Sequence, residues 1–416
     1  MFPELRTGIG SLRLKDLIAK KEGFYVPLFQ ALLLYTNMKS MHLKIFIILT
    51  ILSQYCSGQE AQSAIKSDNP LKTPLDRLVQ RAAEHYMQSP VTFDLSIGII
   101  KNGAPHQYTF HHGTGPISQP ISLFGLGSIA KTFVGILLAQ AVIEKKVQLT
   151  DDIRKYLPGS YPNLQYKGHP VRLVDLANHT SALPAMSRDY DDKYIDSVSK
   201  LKPEAFRKFY QAYTVDSLYR DMHHFTLDTV PGTRYRYNGN AMMVLIAILQ
   251  RVYQKPFDQL ITALLKDQAG IVHTKPRLTS KEETQLVPGH DEQGKVLTFI
   301  PDNGFRAAPS MFSTPADMLR YAAFNLNRKN PAINLSHTVT FTKPDGMSIG
   351  LGWMLGKEDN GLPFIMHTGR DGCGFTALCY LYPDNDAAII LLVNDSSGQE
   401  RLAALKDELI SDMLQL

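Results

Sequence analysis

A chain of 416 residues allows roughly two to three domains, or one large α/β unit with an insertion, and 44% hydrophobic with 20% charged residues is the balance of an ordinary globular protein. The formal charge of +5 is modest for this length and no basic stripe interleaved with aromatics occurs, which argues against nucleic acid as a partner. No low-complexity tract, charge block or internal repeat shows itself.

In chain order, Lys39, His42 and Lys44 precede an apolar run over 45–52, after which Ser57 and Gly58 lead into polar Gln59-Glu60-Ala61-Gln62. That is the layout of a secretory signal peptide. The run is shorter than the roughly 20 apolar residues of a spanning helix, so the mature protein is expected to lack a stable transmembrane helix and to be secreted or periplasmic. Ser53 and Tyr55 make a lipidated Cys56 a poor alternative. The residues upstream point to a start at Met38 or Met41, with a genuine N-terminal extension as the alternative. Residues 1–58 are read as leader.

Residues 59–148 open with an amphipathic helix (Leu75, Leu78, Val79, Ala82) and an alternating strand over 93–99. Asn102-Gly103 signals a hairpin into a second strand near Tyr108 to His111. A short strand-like run then meets Thr132 to Ile143, almost every residue of which is apolar. A helix apolar all round is buried on every side. Lys145 and Lys146 at its far end suit the negative pole of the helix dipole, which puts Ser128 at the positive pole.

A serine at such a place is ordinarily a cap. Three features point to a nucleophile instead. Lys131 lies three residues on, on the same helical face, with its amine in reach of the hydroxyl. Entry into an apolar helix desolvates that amine and lowers its pKa. The helix N-terminus favours negative charge on an attacked carbonyl. The Ser-x-x-Lys pattern alone decides nothing, since it recurs at Ser63, Ser197 and Ser199 in polar surroundings.

Residues 149–336 read as helices and long loops, with starts at Thr150-Asp151-Asp152 and Thr314-Pro315-Ala316-Asp317. Strand patterns return over 337–416, at Gly350-Leu351-Gly352-Trp353, Phe375 to Tyr382 and Ala387 to Val393. An amphipathic helix from Gln399 to Leu416 then turns Leu402, Leu405, Leu409 and Met413 to one side. The order implies an α/β (α+β) fold, an antiparallel sheet flanked by helices with a large helical insertion at 149–336, and the nucleophile where the two parts meet. If the run holding Cys373 and Cys379 is a strand, the two lie roughly 20 Å apart, beyond the ~7 Å of a disulfide, and read as core residues. The pairs His111-His112 and His223-His224 lack zinc-site spacing and no phosphate-binding glycine loop occurs, so neither metal nor cofactor is expected.

Seven motifs now stand in order: Phe124 to Phe133 around Ser128 and Lys131; Leu149-Thr150-Asp151-Asp152; Asn178 to Pro184; Pro231 to Tyr237; Ser313 to Met318; Gly350 to Trp353; and His367-Thr368-Gly369. In that order, over residues 70 to 410, the chain resembles class C β-lactamases and related DD-peptidases of the serine β-lactamase-related family. The resemblance implies a β-lactamase/transpeptidase-like fold in which Ser128 forms an acyl-enzyme while Lys131 and Tyr237 handle its proton. A phenol titrates near 10, so Tyr237 acts as a base only if cations such as Lys131 lower its pKa. His367-Thr368-Gly369 stands where many relatives have Lys-Thr-Gly, with a substrate expected along the following glycine-rich edge. Family geometry makes the backbone N–H groups of Ser128 and Arg370 an oxyanion hole. The Arg370 side chain is either an ordinary exposed arginine or a partner for a carboxylate.

One departure matters. Relatives show Tyr-x-Asn in the second motif, whereas Tyr237-Asn238-Gly239 puts glycine where the amide belongs, with Asn238 or Asn240 as substitutes by a local shift. The expected activity is serine hydrolysis of a small-molecule or peptide substrate: a D-amino-acid peptide, a β-lactam or an ester, with peptidoglycan among the candidates. The alternative is a catalytically weak ligand-binding relative.

Overall fold

In the strand Ala387–Val393 every residue is buried, and successive side chains enter different cores. Ala387, Ile389, Leu391 and Val393 pack on one face, and Ala388, Ile390 and Leu392 on the other. A strand that is apolar throughout therefore lies in the middle of a sheet covered on both sides. The computed structural model describes residues 65–113, 121–184, 213–297, 311–396 and 398–416, all within one unit, Ala64–Leu416. The leader and Ser63, Ser197 and Ser199 lie outside the described residues.

The main sheet consists of β1 (Ile65–Ser67), β2 (Asp94–Lys101), β3 (Ala104–His112), β4 (Phe341–Thr342), β5 (Ser348–Ile349), β6 (Met354–Lys357), β7 (Pro363–Arg370), β8 (Thr376–Tyr382) and β9 (Ala387–Val393). Their order is β1-β3-β2-β9-β8-β7-β6-β5-β4, antiparallel throughout. Asn102 (φ 50°) and Gly103 (φ 75°) both take the left-handed conformation that a two-residue turn demands, and Lys101 pairs with Ala104 across it.

Helix α1 (Pro74–Tyr86) starts where Thr73 accepts the Asp76 N–H, and it packs with the C-terminal helix α6 (Gln399–Met413) over Leu95, Ile97 and Ile99. The expected face of α6, Leu402, Leu405, Leu409 and Met413, is buried there. The opposite layer holds α2 (Ala130–Ile143), α3 (Gly239–Tyr253), α4 (Phe257–Ala269) and α5 (Pro315–Leu326), with shorter helices between them. Thr314 caps α5, as the sequence predicts, and α5 lies against β2 and β9. Every residue of α2 from Ala130 to Ala139 is buried, the outcome its all-apolar sequence demands.

Two expectations need correcting. Gly350 to Trp353 is not a strand but the buried link between β5 and β6. A Cβ at Gly350 would lie 2.5 Å from Ser336 O, and one at Gly352 (φ 74°) 2.5 Å from Lys131 O, so the glycines serve close packing instead of pleating. Cys379 is a core residue of β8, but Cys373 lies half-buried in the turn before it, and no disulfide joins the two. Among the described residues no helix is long and apolar enough to cross a membrane.

Candidate active site

Two glycines let two backbones meet without side chains between them. A Cβ at Gly369, near the end of β7, would lie 1.9 Å from Leu126 O and 3.1 Å from Ser128 N; one at Gly127 (φ 49°) would lie 2.6 Å from Arg370 N. Ser128 itself sits in a 3-10 turn, Gly127–Ile129, that feeds α2, and neither that turn nor α2 has a side-chain cap. Its hydroxyl is thus not spent on the backbone.

Lys131 Nζ donates to Ser128 Oγ at 2.9 Å and lies 4.9 Å from the Tyr237 ring centroid. The lysine is 1% exposed, and burial alone pulls its pKa down to about 7. Among the described residues no carboxylate pulls it back up, so near neutrality a large share of the amine is free to accept a proton.

Tyr237 lies just ahead of α3, 43% exposed as a residue, with its hydroxyl hydrogen-bonded to Ser128. Burial of that hydroxyl raises its pKa above the ordinary phenol value, and the bond to Ser128 offsets this only in part. The condition under which Tyr237 could serve as a base, a pKa lowered by Lys131, is thus not met, because desolvation dominates. Near neutrality the phenol keeps its proton, and Lys131 is the neighbouring group able to accept one.

His367 on β7 is 2% exposed and shares its Nδ1 with Thr368 O at 2.5 Å. Burial first, then the charge of Lys131, pulls it down to about 4, so it is neutral, with Nδ1–H donating and Nε2 an acceptor. Thr368 Oγ1 accepts from Gln399 Nε2 at 2.9 Å, at the start of α6. The Arg370 guanidinium is exposed and pairs with Glu292 at 2.9 Å. Its neighbour Asp371 accepts the backbone N–H groups of Cys373 and Phe375 at 2.9 and 3.2 Å, fixing the turn into β8, and burial pushes its carboxyl up to about 6.

The two asparagines that could replace the missing amide of the second motif both bond to protein groups. Asn238 is the N-cap of α3, accepting the Ala241 N–H at 3.1 Å, and its amide donates to Leu183 O at 2.7 Å. Asn240 is buried and donates to Pro184 O at 3.1 Å. Both amides hold the Asn178 to Pro184 loop in place, and Gly239 presents none.

The sequence reading gave no role to His179, Gln399, Glu292 or Asp371. His179 is buried, with Nδ1 accepting the Asn238 N–H at 3.2 Å and Nε2 without a hydrogen-bond partner among the described residues. Burial, then Lys131 and His367, pulls it down to about 3. Its only sequence signal is its place inside one of the seven motifs.

A family model described as Beta-lactamase matches residues 79–411. The chain belongs to the beta-lactamase family. It is accordingly a serine hydrolase, and its antiparallel sheet with flanking helices is the fold of that family. A beta-lactamase of Pseudomonas fluorescens is 24% identical over 68% of this chain and 74% of its own length. The D-alanyl-D-alanine-carboxypeptidase/endopeptidase AmpH of Escherichia coli K12 is 23% identical over 80% and 88% respectively. The crystal structure of a beta-lactamase/D-alanine carboxypeptidase from Yersinia pestis, complexed with citrate, superposes with a TM-score of 0.69 at 21% identity, covering 82% of this chain and 98% of that one.

Proposed function

We propose that the protein hydrolyses small acyl substrates through an acyl-enzyme on Ser128, turning over simple esters more readily than β-lactams or D-amino-acid peptides. The carrying observation is a buried lysine amine 2.9 Å from the Ser128 hydroxyl, with no carboxylate beside it among the described residues. In this reading neutral Lys131 takes the Ser128 proton as Oγ attacks the carbonyl carbon, and the backbone N–H groups of Ser128 and Arg370 hold the resulting oxyanion. Tyr237 passes a proton to the leaving group as the carbonyl re-forms and regains one from the Lys131 ammonium, from which neutral His367 accepts a hydrogen bond, so that Lys131 returns to the free amine. Water then attacks the acyl-enzyme carbonyl, giving one proton to Lys131, which hands it to Ser128 Oγ as the acyl C–O bond breaks and the acid is released.

Esters are favoured because Gly239 leaves the acylamino group of a β-lactam or peptide unmet, and because Arg370 is already paired with Glu292. Thr368 and Gly369 would line the substrate edge. The reading includes secretion or export to a periplasm behind the leader 1–58, and an α/β part built from 59–148 and 337–416 around the helical part 149–336.

A fluorescent acylating probe tests it. Labelling is expected on Ser128, absent in Ser128→Ala with the fold intact, alongside turnover of a nitrophenyl ester ahead of a penicillin and a D-Ala-D-Ala peptide. An adduct on Ser63, Ser197 or Ser199 would sink the assignment.

A further inference from the structure

Tyr237 is gripped by one residue from three directions. The Arg236 N–H donates to His179 O at 2.8 Å, the Asn238 N–H donates to His179 Nδ1 at 3.2 Å, and the imidazole lies against the Tyr237 ring with centroids 4.5 Å apart and planes tilted by 41°. The two backbone bonds thus flank the tyrosine on either side in sequence, and the ring contact falls between them. Tyr235 closes the pocket edge-on at 5.9 Å.

The loop that delivers His179 is held in an unfavourable shape. His179 (φ 63°) and Ala182 (φ 58°) both occupy the left-handed region, which crowds any residue that has a Cβ. Two such residues within four positions persist only where the surroundings over-determine them. Here the surroundings are the tyrosine segment itself: the Gly232 N–H donates to Thr180 O at 2.8 Å, the Asn238 amide to Leu183 O at 2.7 Å and the Asn240 amide to Pro184 O at 3.1 Å.

The contact to Asn238 also fixes the tautomer. Nδ1 must present a lone pair, so the proton sits on Nε2, which is buried and unpartnered. The groups facing the ring are Lys131, His367, Tyr237 and Tyr235. A protonated imidazole would lose the Asn238 bond and set a second cation beside Lys131.

We propose that His179 is the positioning residue of Tyr237: as a neutral imidazole it clamps residues 236 to 238 so that the phenol stays in contact with the Ser128 hydroxyl. The proposal rests on the proton-transfer reading of Tyr237 given above and adds to it the part that sets the phenol's place.

The test is a double-mutant cycle on the full chain with p-nitrophenyl acetate, reading the acylation rate from the pre-steady-state burst together with KM. His179→Phe keeps the ring and the backbone carbonyl and removes the Nδ1 acceptor; it is expected to slow acylation about tenfold with KM within about twofold. Added to Tyr237→Phe it should slow acylation by no more than about twofold further, because the group it positions is gone. His179→Asn, which tolerates the left-handed backbone and offers an oxygen to the Asn238 N–H, is expected to recover acylation to within about threefold of the native rate. Should His179→Phe fail to fold, His179→Gly, which suits the left-handed backbone at this position and also removes the acceptor, carries the same non-additivity test. Losses that multiply in the double variant, or native acylation in His179→Phe while Tyr237→Phe is crippled, overturn the positioning role alone. A Tyr237→Phe protein with native acylation overturns the proton-transfer reading as well.

Discussion

Lys131 and Lys406 are both buried, at 1% and 3% exposure, and each lies near a tyrosine ring, at 4.9 Å from Tyr237 and 4.7 Å from Tyr380. Their remaining neighbours are opposite in kind. Lys406, on α6, meets both oxygens of Glu358 at 2.9 Å and Asp407 at 2.5 Å, and Tyr382 donates to the same Glu358 at 2.7 Å. Lys131 meets a serine hydroxyl. Burial therefore does not by itself make a lysine a base. Ion pairs turn one into a tie between α6 and the end of β6, and their absence leaves the other ready to take a proton.

The sharpest way to break this contrast is to remove each amine in turn. Lys131→Met is expected to slow acylation by about a thousandfold, the scale of a lost general base, while raising the melting temperature by a few degrees because a desolvated amine becomes an apolar side chain. Lys406→Met should do the reverse, leaving acylation per folded molecule unchanged and costing about 3 kcal/mol by stranding Glu358. Burst kinetics and urea unfolding separate the two. A Lys406→Met protein that folds fully yet acylates slowly would end the contrast.

A smaller effect comes from pH. With Lys131 at about 7, acylation should climb about tenfold per pH unit below neutrality and level off above it. Stability should follow in the same direction. Between about 7 and 10.5 the unfolded chain keeps a proton on this lysine that the native state has shed, so stability rises with pH across that window. Lys131→Met should lose both slopes; a native pH–rate profile flat from 5 to 8 would contradict a base of this kind.

The smallest expected effect lies on the substrate side of the same pair. Gly239→Asn should raise kcat/KM for a β-lactam about tenfold and leave a small ester unchanged, since only the former offers an acylamino group to the new amide. Strong native β-lactam hydrolysis that the substitution does not improve would mean that Asn240 leaves Pro184 when substrate binds.

What was legible in the sequence follows a physical line. The run from Thr132 to Ile143 announced a buried helix because no face of it could tolerate water, and Asn102-Gly103 announced its turn because few other pairs accept two left-handed residues. Gly350 to Trp353 misled, since small and apolar residues suit a strand and a tightly packed link alike, and only the approaching helix backbone tells them apart. The site was legible where chemistry is local, as in Ser128 and Lys131. It was not where partners are distant: Glu292 reaches Arg370 across 78 positions, and His179 reaches Tyr237 across a fold that spacing cannot express. The direction of the Tyr237 pKa stayed open in the sequence for a related reason, because a neighbouring cation can be read from a motif and the loss of water around a hydroxyl cannot.

The helix that follows Ser128 is fitted to its surroundings through positions that have no side chain. Gly127 and Gly369 admit the strand edge in front, while Gly135 and Gly352 admit the link behind, where a Cβ at Gly135 would lie 1.9 Å from Leu351 O. A joint made of main chain offers almost nothing for substitution to adjust. A side chain placed at any of these four positions would have to displace backbone, whereas Glu292 is exposed and can be exchanged without disturbing the corner. The corner is rigid by omission, and its surroundings are adjustable.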